Sequence, residues 1–253
     1  MRRFVGLVIA ACALGCTGES ESTMASGPGS ASSSESGSGS DSSADPGVPC
    51  DATEVHEGEA TYYDFADGSG NCGFDATPDD LMVGAMNDTD YAESATCGSC
   101  VRIDGPDGSV DVRIVDRCPE CPQGDIDLSP EAFARIAAIV AGRVPISWEY
   151  ISCPVQGPVI YHFKDGSNAW WTAVQIPNHR NAIARFEVEQ DGQFIEVGRV
   201  DYNYFVKDDG MGEGPFSLRV TDVLGNVVED QGIPLLDNAD ADGTDQFPAC
   251  AGG

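Results

Sequence analysis

The densest group of polar residues lies between positions 116 and 129, where Asp116 and Asp127 flank a segment that contains Cys118 and Cys121. Asp116 ends an apolar, alternating stretch, and Asp127 comes just before the start of a predicted helix. A disulfide at either cysteine would hold the intervening loop and bring the two carboxylates close together. Paired carboxylates suit polysaccharide chemistry, because one acid can protonate a glycosidic oxygen. The alternative interpretation is that Asp127 only caps a turn or the helix.

Two adjacent tryptophans, Trp170 and Trp171, form a second candidate site. An aromatic ring can stack on the apolar face of a sugar ring, which contributes on the order of 1 kcal/mol or more. Neighbouring residues on a strand point to opposite faces, so one of the two rings is expected in the core. Alternation along the segment favours Trp171 as the exposed ring. Both rings can be exposed only if the strand begins or kinks at Trp170.

The cysteines indicate an oxidising compartment, because 10 cysteines are unusual in a reduced one. Two of them, Cys12 and Cys16, lie in the leader described below. The remaining eight predict four disulfides: Cys50, Cys72, Cys97, Cys100, Cys118, Cys121, Cys153 and Cys250. Their distribution favours three bridges in the first half of the chain and a Cys153–Cys250 bridge in the second. The alternative for the two central Cys-x-x-Cys pairs is a four-thiolate zinc site, which export disfavours.

The N-terminus predicts export. Arg2 and Arg3 precede an apolar segment at positions 4–14, which is the pattern of a signal peptide. The segment ends in Ala-Leu-Gly-Cys16, which is similar to a bacterial lipobox. Residues 1–16 are therefore expected to be a lipoprotein signal peptide with Cys16 as the lipidation site, and ordinary cleavage nearby is the alternative. In both cases the protein is expected outside the cytoplasm, as a cell-surface (outer-membrane) lipoprotein or a secreted protein.

The overall charge limits the possible partners. Asp and Glu outnumber Lys and Arg by 42 to 13, a formal net charge of -29. Such acidity excludes nucleic acid, which needs basic patches, and disfavours anionic lipid and acidic sugars such as pectin. No apolar run reaches the roughly 18 residues that would suggest a membrane span, so membrane contact is expected only through the lipid. Residues 17–49 are rich in Ser and Gly and predict a disordered tether.

The rest of the chain divides into two mostly β halves, 50–151 and 152–253. In the first half, alternating apolar residues predict several strands, and Trp148 is expected in the core. One helix is predicted to begin at the N-cap Ser129, with an apolar stripe that runs to Val140 and a stop at Gly142. The second half has about seven short apolar segments separated by turn residues, which is typical of a β-sandwich.

No metal ion or cofactor is expected. The three histidines, His56, His162 and His179, do not share the spacing of a metal site. Residues 238–243 match the first positions of a calcium-binding loop, but position 249, where the loop has its last glutamate ligand, is Ala249. A solvated acidic loop is therefore the favoured interpretation of residues 237–245, with calcium binding as the alternative.

Several motifs resemble those of expansins, in the same order and at matching spacing, from about residue 54 to the C-terminus. They lie at 56–63, 70–74, 97–100, 115–130, 163–171 and 201–205. The resemblance implies a mainly β protein, with a six-stranded double-psi β-barrel followed by an immunoglobulin-like β-sandwich, a carbohydrate-binding module of family 63. It also implies a non-hydrolytic activity that loosens cell walls.

The resemblance also assigns residues to two surfaces. A groove in the barrel is lined by Thr61, Asp116 and Asp127, and activity depends most on Asp127. Tyr63 is expected to face the same groove. One groove position that is Tyr in the best-known bacterial members is Cys118 here, so that aromatic ring is lost or moved.

The sandwich carries the second surface that the resemblance implies. Trp170, Trp171 and Tyr202 form an aromatic patch that binds polysaccharide, and the resemblance raises the expectation that Trp170 is exposed. Lys164 accompanies the patch and can donate hydrogen bonds to sugar hydroxyls. The acidity of the chain favours cellulose and other neutral β-glucans as partners, and a monomer is expected.

The barrel is also similar to that of glycoside hydrolase family 45, which pairs a general acid with a general base. Asp127 matches the acid, but the base position, four residues after Thr61, is Phe65. Asp64 should point away from the groove, because strand residues alternate, unless a bulge at 63–64 turns it back. Hydrolysis is therefore not expected. The alternatives are a glucanase or peptidoglycan lytic transglycosylase on the same barrel, and a cellulose adhesin whose barrel is inert.

Overall fold

The computed structural model describes residues 54–64 and 66–250. The predicted signal peptide, the lipidation site Cys16 and the tether lie outside the described residues, as do Cys50 and Phe65. Within the described residues, no helix is both long and apolar enough to cross a membrane.

Six strands close into a barrel in the order β1-β5-β2-β4-β3-β6. Their bounds are His56–Tyr62 (β1), Val83–Asn87 (β2), Cys100–Gly105 (β3), Gly108–Cys118 (β4), Ile126–Leu128 (β5) and Val144–Ile151 (β6). The pairs β1–β5 and β2–β4 are parallel, and the other pairs are antiparallel. Apolar residues at alternate positions fill the interior, among them Val101, Ile103 and Trp148. The prediction of a six-stranded double-psi β-barrel is confirmed.

Two short helices lie beside the barrel, Asp88–Tyr91 (α1) and Pro130–Ile136 (α2). The predicted N-cap of α2 is present, because the Ser129 side chain accepts a 3.0 Å hydrogen bond from the backbone N–H of Ala132. The predicted end of α2 is wrong. The Ile136 carbonyl accepts from the Asp107 N–H instead of continuing the helical pattern, and the chain becomes extended at Ala137. Val140 is consequently 95% exposed rather than part of the core.

Nine strands form the two sheets of the sandwich. The first sheet has the order β10-β9-β13-β14, and the second has the order β11-β12-β8-β7-β15. Their bounds are Ile160–Phe163 (β7), Thr172–Gln175 (β8), Ile183–Gln190 (β9), Gln193–Glu196 (β10), Gly198–Arg199 (β11), Phe205–Lys207 (β12), Phe216–Asp222 (β13), Val227–Ile233 (β14) and Ala239–Asp242 (β15). Buried side chains of both sheets, such as Phe163 and Phe186, form a second core. The prediction of a β-sandwich after the barrel is confirmed.

The acidic loop predicted at 237–245 contains a strand instead. Ala239–Asp242 pairs antiparallel with β7 along its length. Ala241 points into the sandwich and is buried, while Asp240 and Asp242 are exposed. The alternation of Ala and Asp therefore marks an edge strand rather than the start of a calcium loop.

The disulfides differ from the predicted pattern. Cys72 pairs with Cys97, Cys118 with Cys121, and Cys100 with Cys153. The predicted Cys153–Cys250 bridge is wrong, because Cys153 follows β6 and the pairing of β6 with β3 brings it beside Cys100. Cys250 is itself disulfide-bonded. The zinc alternative is also wrong, because all four central cysteines are in disulfides, Cys118 and Cys121 with each other.

Polar contacts join the barrel to the sandwich, and the two belong to one compact unit. The Arg113 guanidinium donates to the Pro177 carbonyl at 2.7 Å, and the Ser94 hydroxyl donates to the Val200 carbonyl at 2.8 Å. We retain the predicted boundary after residue 151 as a proposed division, since β6 ends there and β7 begins at Ile160.

Candidate carbohydrate-binding site

Four residues from four neighbouring strands form one row across the barrel sheet. Thr61 on β1 is paired with Asp127 on β5, Asp127 with Ala85 on β2, and Ala85 with Asp116 on β4. Residues paired across strands share a face of the sheet, so the small Ala85 side chain separates the two carboxylates. Two strand spacings of about 4.8 Å put the Cα atoms of Asp116 and Asp127 roughly 10 Å apart. We call this row and its surroundings the groove.

A β-bulge places Asp116 in this row. Gly84 pairs with Ile114 and Ala85 pairs with Asp116, so Val115 has no partner on β2. The Val115 carbonyl accepts instead from the Cys72 N–H at 3.1 Å. In a regular register Asp116 would point to the other face. The sequence pattern does not reveal β2 and β5, and the two carboxylates share a face through these strands rather than through the disulfide loop.

Asp127 is half-buried and has one strong partner. Its Oδ1 accepts a 2.5 Å hydrogen bond from the Thr61 hydroxyl. Burial raises the pKa of Asp127 above its ordinary value, and the Thr61 bond opposes that shift. The charges of Glu120 and Asp116 raise the pKa further, whereas that of Arg143 lowers it. A carboxyl held in this way can accept a hydrogen bond when ionised and donate one when protonated.

Asp116 is held as an acceptor by backbone groups. Its Oδ1 accepts from the N–H of Asn71 at 2.7 Å and from that of Arg117 at 2.8 Å. Gly70 permits this approach, because a Cβ at position 70 would lie 2.4 Å from the Asp116 Cβ. Asp116 is therefore fixed by the segment before Cys72 rather than by the disulfide loop.

Tyr63 follows the end of β1, where its N–H donates to the Leu128 carbonyl at 3.0 Å. Burial raises the pKa of its phenol, and the charges of Asp116 and Asp127 raise it further. The buried Tyr63 hydroxyl has no hydrogen-bond partner among the residues that the structure describes.

Two charged residues near Asp127 were missed by the sequence analysis. Glu120 lies within the Cys118–Cys121 loop, and the charge of its carboxylate raises the pKa of Asp127. Arg143 donates to Glu59 at 2.9 Å and approaches Asp125 at 3.5 Å. No motif marks Arg143, because its distance from Asp127 depends on how β6 pairs with β1.

Position 118 holds a disulfide cysteine, so no aromatic ring occupies it. Cys118 is 7% exposed and bonded to Cys121. The alternation argument for Asp64 does not apply, because β1 ends at Tyr62 and Asp64 lies in an exposed turn.

The exposure of the tryptophans is decided by a turn. Trp170 is 76% exposed, whereas Trp171 is partly buried. The Asn168 side chain accepts from the N–H groups of Trp170 and Trp171 at 2.9 and 3.2 Å. Since β8 begins only at Thr172, strand alternation does not govern the pair, and the preference for Trp171 as the more exposed ring is wrong.

Two more aromatic residues, Tyr202 and Tyr204, come just before β12, which pairs with β8. Tyr202 is 40% exposed, and its ring centroid is 5.9 Å from that of Tyr204. The Lys164 ammonium lies 5.1 Å from the centroid of the Tyr204 ring. Tyr204, which the sequence analysis did not single out, therefore links Tyr202 to Lys164. We refer to Trp170, Trp171, Tyr202 and Lys164 as the aromatic patch.

No metal centre is found at these surfaces. Across residues 54–64 and 66–250, no group of three or more His, Cys, Asp and Glu side chains could hold a metal ion. The three histidines are placed apart from one another. His56 stacks on Trp148, His162 forms a hydrogen bond with Asp240, and His179 is buried.

Sequence and structure comparisons agree on the relatives of this chain. A family profile described as Lytic transglycolase matches residues 55–148. The chain is 36% identical over 187 residues to Expansin-YoaJ of Bacillus subtilis (strain 168), covering 72% of this chain and 80% of that protein. It is 29% identical over 193 residues to Expansin-like protein 5 of Dictyostelium discoideum, covering 71% and 80%.

A solved structure matches across both parts of the fold. The crystal structure of the Clavibacter michiganensis expansin superposes with a TM-score of 0.72 at 32% identity, covering 77% of this chain and 99% of that one. A mutant of that protein has also been crystallised in complex with cellohexaose.

Proposed function

The chain belongs to the expansin family, and we propose that it binds cellulose and other neutral β-glucans and loosens their non-covalent contacts without cleaving a bond. The observation that carries this proposal is the row Thr61–Asp127–Ala85–Asp116. It presents two carboxyl groups, Asp127 and Asp116, side by side along one face of the barrel.

The groove supports binding of a polar polymer. Asp116 offers a fixed acceptor oxygen, and Asp127 offers a carboxyl that can accept or donate. Sugar hydroxyls match both roles. A glucan strand that exchanges hydrogen bonds with neighbouring strands for bonds to these carboxyls would separate from the polymer surface, so the reaction is a change of partners and no covalent bond breaks.

The geometry disfavours hydrolysis. In an inverting glycosidase the general acid and the general base act from opposite sides of the sugar. Asp116 and Asp127 stand side by side on one sheet face, so both would address the same side of a bound chain. The Asp116 oxygen is also occupied by two backbone donors.

The aromatic patch supports retention on a flat polymer. Trp170 is largely exposed just before β8, and Tyr202 lies in the turn before β12, towards the other end of the β8–β12 pair. Rings of this kind bind the apolar faces of sugar rings. The net charge of -29 repels acidic polymers at low ionic strength, which leaves neutral glucans as the preferred surface. We also propose that the protein is exported and anchored through Cys16, as a monomer.

The decisive experiment uses purified protein and the variant Asp127→Ala. The same samples are assayed for extension of cellulose-based paper, for soluble reducing ends, and for binding to crystalline cellulose and to pectin over a salt series. We expect extension without reducing ends for the wild type, and loss of extension with retained cellulose binding for Asp127→Ala.

Other outcomes contradict the proposal. Release of oligosaccharides from cellulose, or of muropeptides from sacculi, would identify a hydrolase or a lytic transglycosylase. Unchanged extension by Asp127→Ala would exclude the groove as the site of loosening. Cellulose binding by the wild type without extension would identify an adhesin. Stronger retention on pectin at low salt would contradict the assignment of neutral glucans.

A further inference from the structure

The segment 70–73 connects the groove to the aromatic patch. The backbone N–H of Asn71 donates to Asp116 Oδ1 at 2.7 Å. The side-chain Nδ2 of the same residue donates to the Asp201 carbonyl at 2.9 Å. Asp201 immediately precedes Tyr202, so one residue contacts both a groove carboxylate and the turn that carries a ring of the patch.

A buried tyrosine reinforces this contact. The Tyr91 hydroxyl, on α1, donates to the same Asp201 carbonyl at 2.9 Å and accepts from Asn71 Nδ2 at 2.8 Å. Tyr91 is only 1% exposed, so it cannot move far. Asn71, Tyr91 and Asp201 form a closed triangle of hydrogen bonds, which we call the clamp.

The segment is fixed to the sandwich on its other side as well. The Cys72 carbonyl accepts from Gln175 at 2.9 Å and from Asn203 at 3.1 Å. The Cys72–Cys97 disulfide ties the segment to the barrel. A Cβ at Gly73 would lie 3.3 Å from the Tyr202 carbonyl, so the two backbones approach closely there.

We propose that Asn71, with Tyr91, is a positioning residue that holds Tyr202 in register with Asp116, so that one glucan chain is bound by both. This inference rests on the proposed function. Two subsites at a fixed separation act on one ligand with a high effective concentration, and a loose connection lowers it. The hydrogen bonds of Asn71 go to Asp116, Tyr91 and Asp201, so it acts on Tyr202 through the position of the Asp201 backbone.

The test is a double-mutant cycle on binding to amorphous cellulose, with Asp116→Asn and Tyr202→Ala as the two changes. The cycle is measured in the wild-type background and in the Asn71→Ala/Tyr91→Phe background. Alanine keeps the backbone N–H that holds Asp116, so this pair of changes removes the two donors to Asp201 and the hydrogen bond between them. Thermal melts verify that each variant is folded.

Asn178→Ala is the matched control. Asn178 Nδ2 also donates to two carbonyls, those of Gln156 and Pro158, but it contacts neither surface. We expect coupling between Asp116 and Tyr202 in the wild type and in Asn178→Ala, additive losses in the clamp variant, and about tenfold weaker binding by the clamp variant.

Equal coupling in both backgrounds would overturn the inference, as would additive losses in the wild type. Either result leaves the proposed function intact, because the wild type would still bind and extend cellulose. A wild type that does not bind cellulose would instead overturn the proposed function itself.

Discussion

The Thr61 hydroxyl donates a 2.5 Å hydrogen bond to Asp127 across the parallel pairing of β1 and β5. The bond opposes burial, because burial raises the pKa of Asp127 and the hydroxyl stabilises its ionised form. The protonation state of the principal groove acid therefore depends on a neighbouring strand.

Thr61→Val should raise the pKa of Asp127. Valine keeps the branched shape but removes the donor, so burial and the charges of Glu120 and Asp116 act with less opposition. Titration of the Asp127 carboxyl by ¹³C NMR would measure the shift. Thr61→Ser, which keeps a donor, is the control. A pKa in Thr61→Val equal to or below that of the wild type would contradict the prediction.

Gly70→Ala should disable the groove. The added Cβ would lie 2.4 Å from the Asp116 Cβ and 2.7 Å from the Val115 carbonyl oxygen, so the bulge must shift. We expect a destabilisation of about 1–3 kcal/mol and loss of extension activity, measured by chemical unfolding and by paper extension.

Gly198→Ala is the comparison for this change, because a Cβ there meets nothing within 4 Å. Neither Gly198 nor Gly70 has a positive φ, so the two variants differ in contacts rather than in backbone strain. Full activity in Gly70→Ala, or an equal loss in Gly198→Ala, would show that the close contact with Asp116 does not matter.

The sequence was sufficient to predict elements that depend on local pattern. Alternation identified Val101, Ile103 and the buried Trp148, and the cap at Ser129 marked the start of α2. The order of the motifs identified both surfaces, because motif order can be recognised without knowing how the strands between the motifs pair.

Long-range pairing was not accessible in the same way. The short β5 looks like a loop in the sequence, because three residues show too little alternation. The bulge opposite Ala85 depends on the register between strands 30 residues apart in sequence, and the Cys100–Cys153 pair depends on the register of β3 with β6. The clamp could not be predicted at all, because it joins α1 of the barrel to a turn of the sandwich.

Trp170→Ala should reduce cellulose binding without reducing stability. The ring is 76% exposed, so its removal loses little burial, whereas loss of a stacking contact of about 1 kcal/mol weakens binding roughly fivefold. Trp171→Ala should lower both binding and melting temperature, because that ring is partly buried.

Cellulose isotherms and thermal melts measure the two effects. Val140→Ala removes an exposed apolar side chain outside the patch and should change neither. A fall in the melting temperature of Trp170→Ala as large as that of Trp171→Ala would contradict the exposed position of Trp170.

Stability should fall as the pH falls, because a buried neutral histidine, His179, packs against Gly98 of the barrel, where a Cβ would lie 2.4 Å from its Nε2. His179 donates through Nδ1 to the Asn181 carbonyl at 2.8 Å. Burial, with the charges of Arg113 and Arg199, lowers the pKa of His179 to about 3. The unfolded chain binds this proton near pH 6.5, so stability is fully present above that pH and is lost progressively as the pH falls towards 3.

Between pH 6.5 and 5, above the range in which ordinary carboxyls titrate, His179 should account for a loss of about 1 to 2 kcal/mol in unfolding free energy. Urea unfolding at several pH values would measure it, and His179→Gln should flatten the slope whatever its absolute stability. His162→Gln, which removes a histidine that bonds Asp240 at the surface and leaves His179 in place, is the comparison variant. If His179→Gln kept the wild-type dependence of unfolding free energy on pH, another group would take up the proton on unfolding. His179 would then not cause the loss of stability in acid.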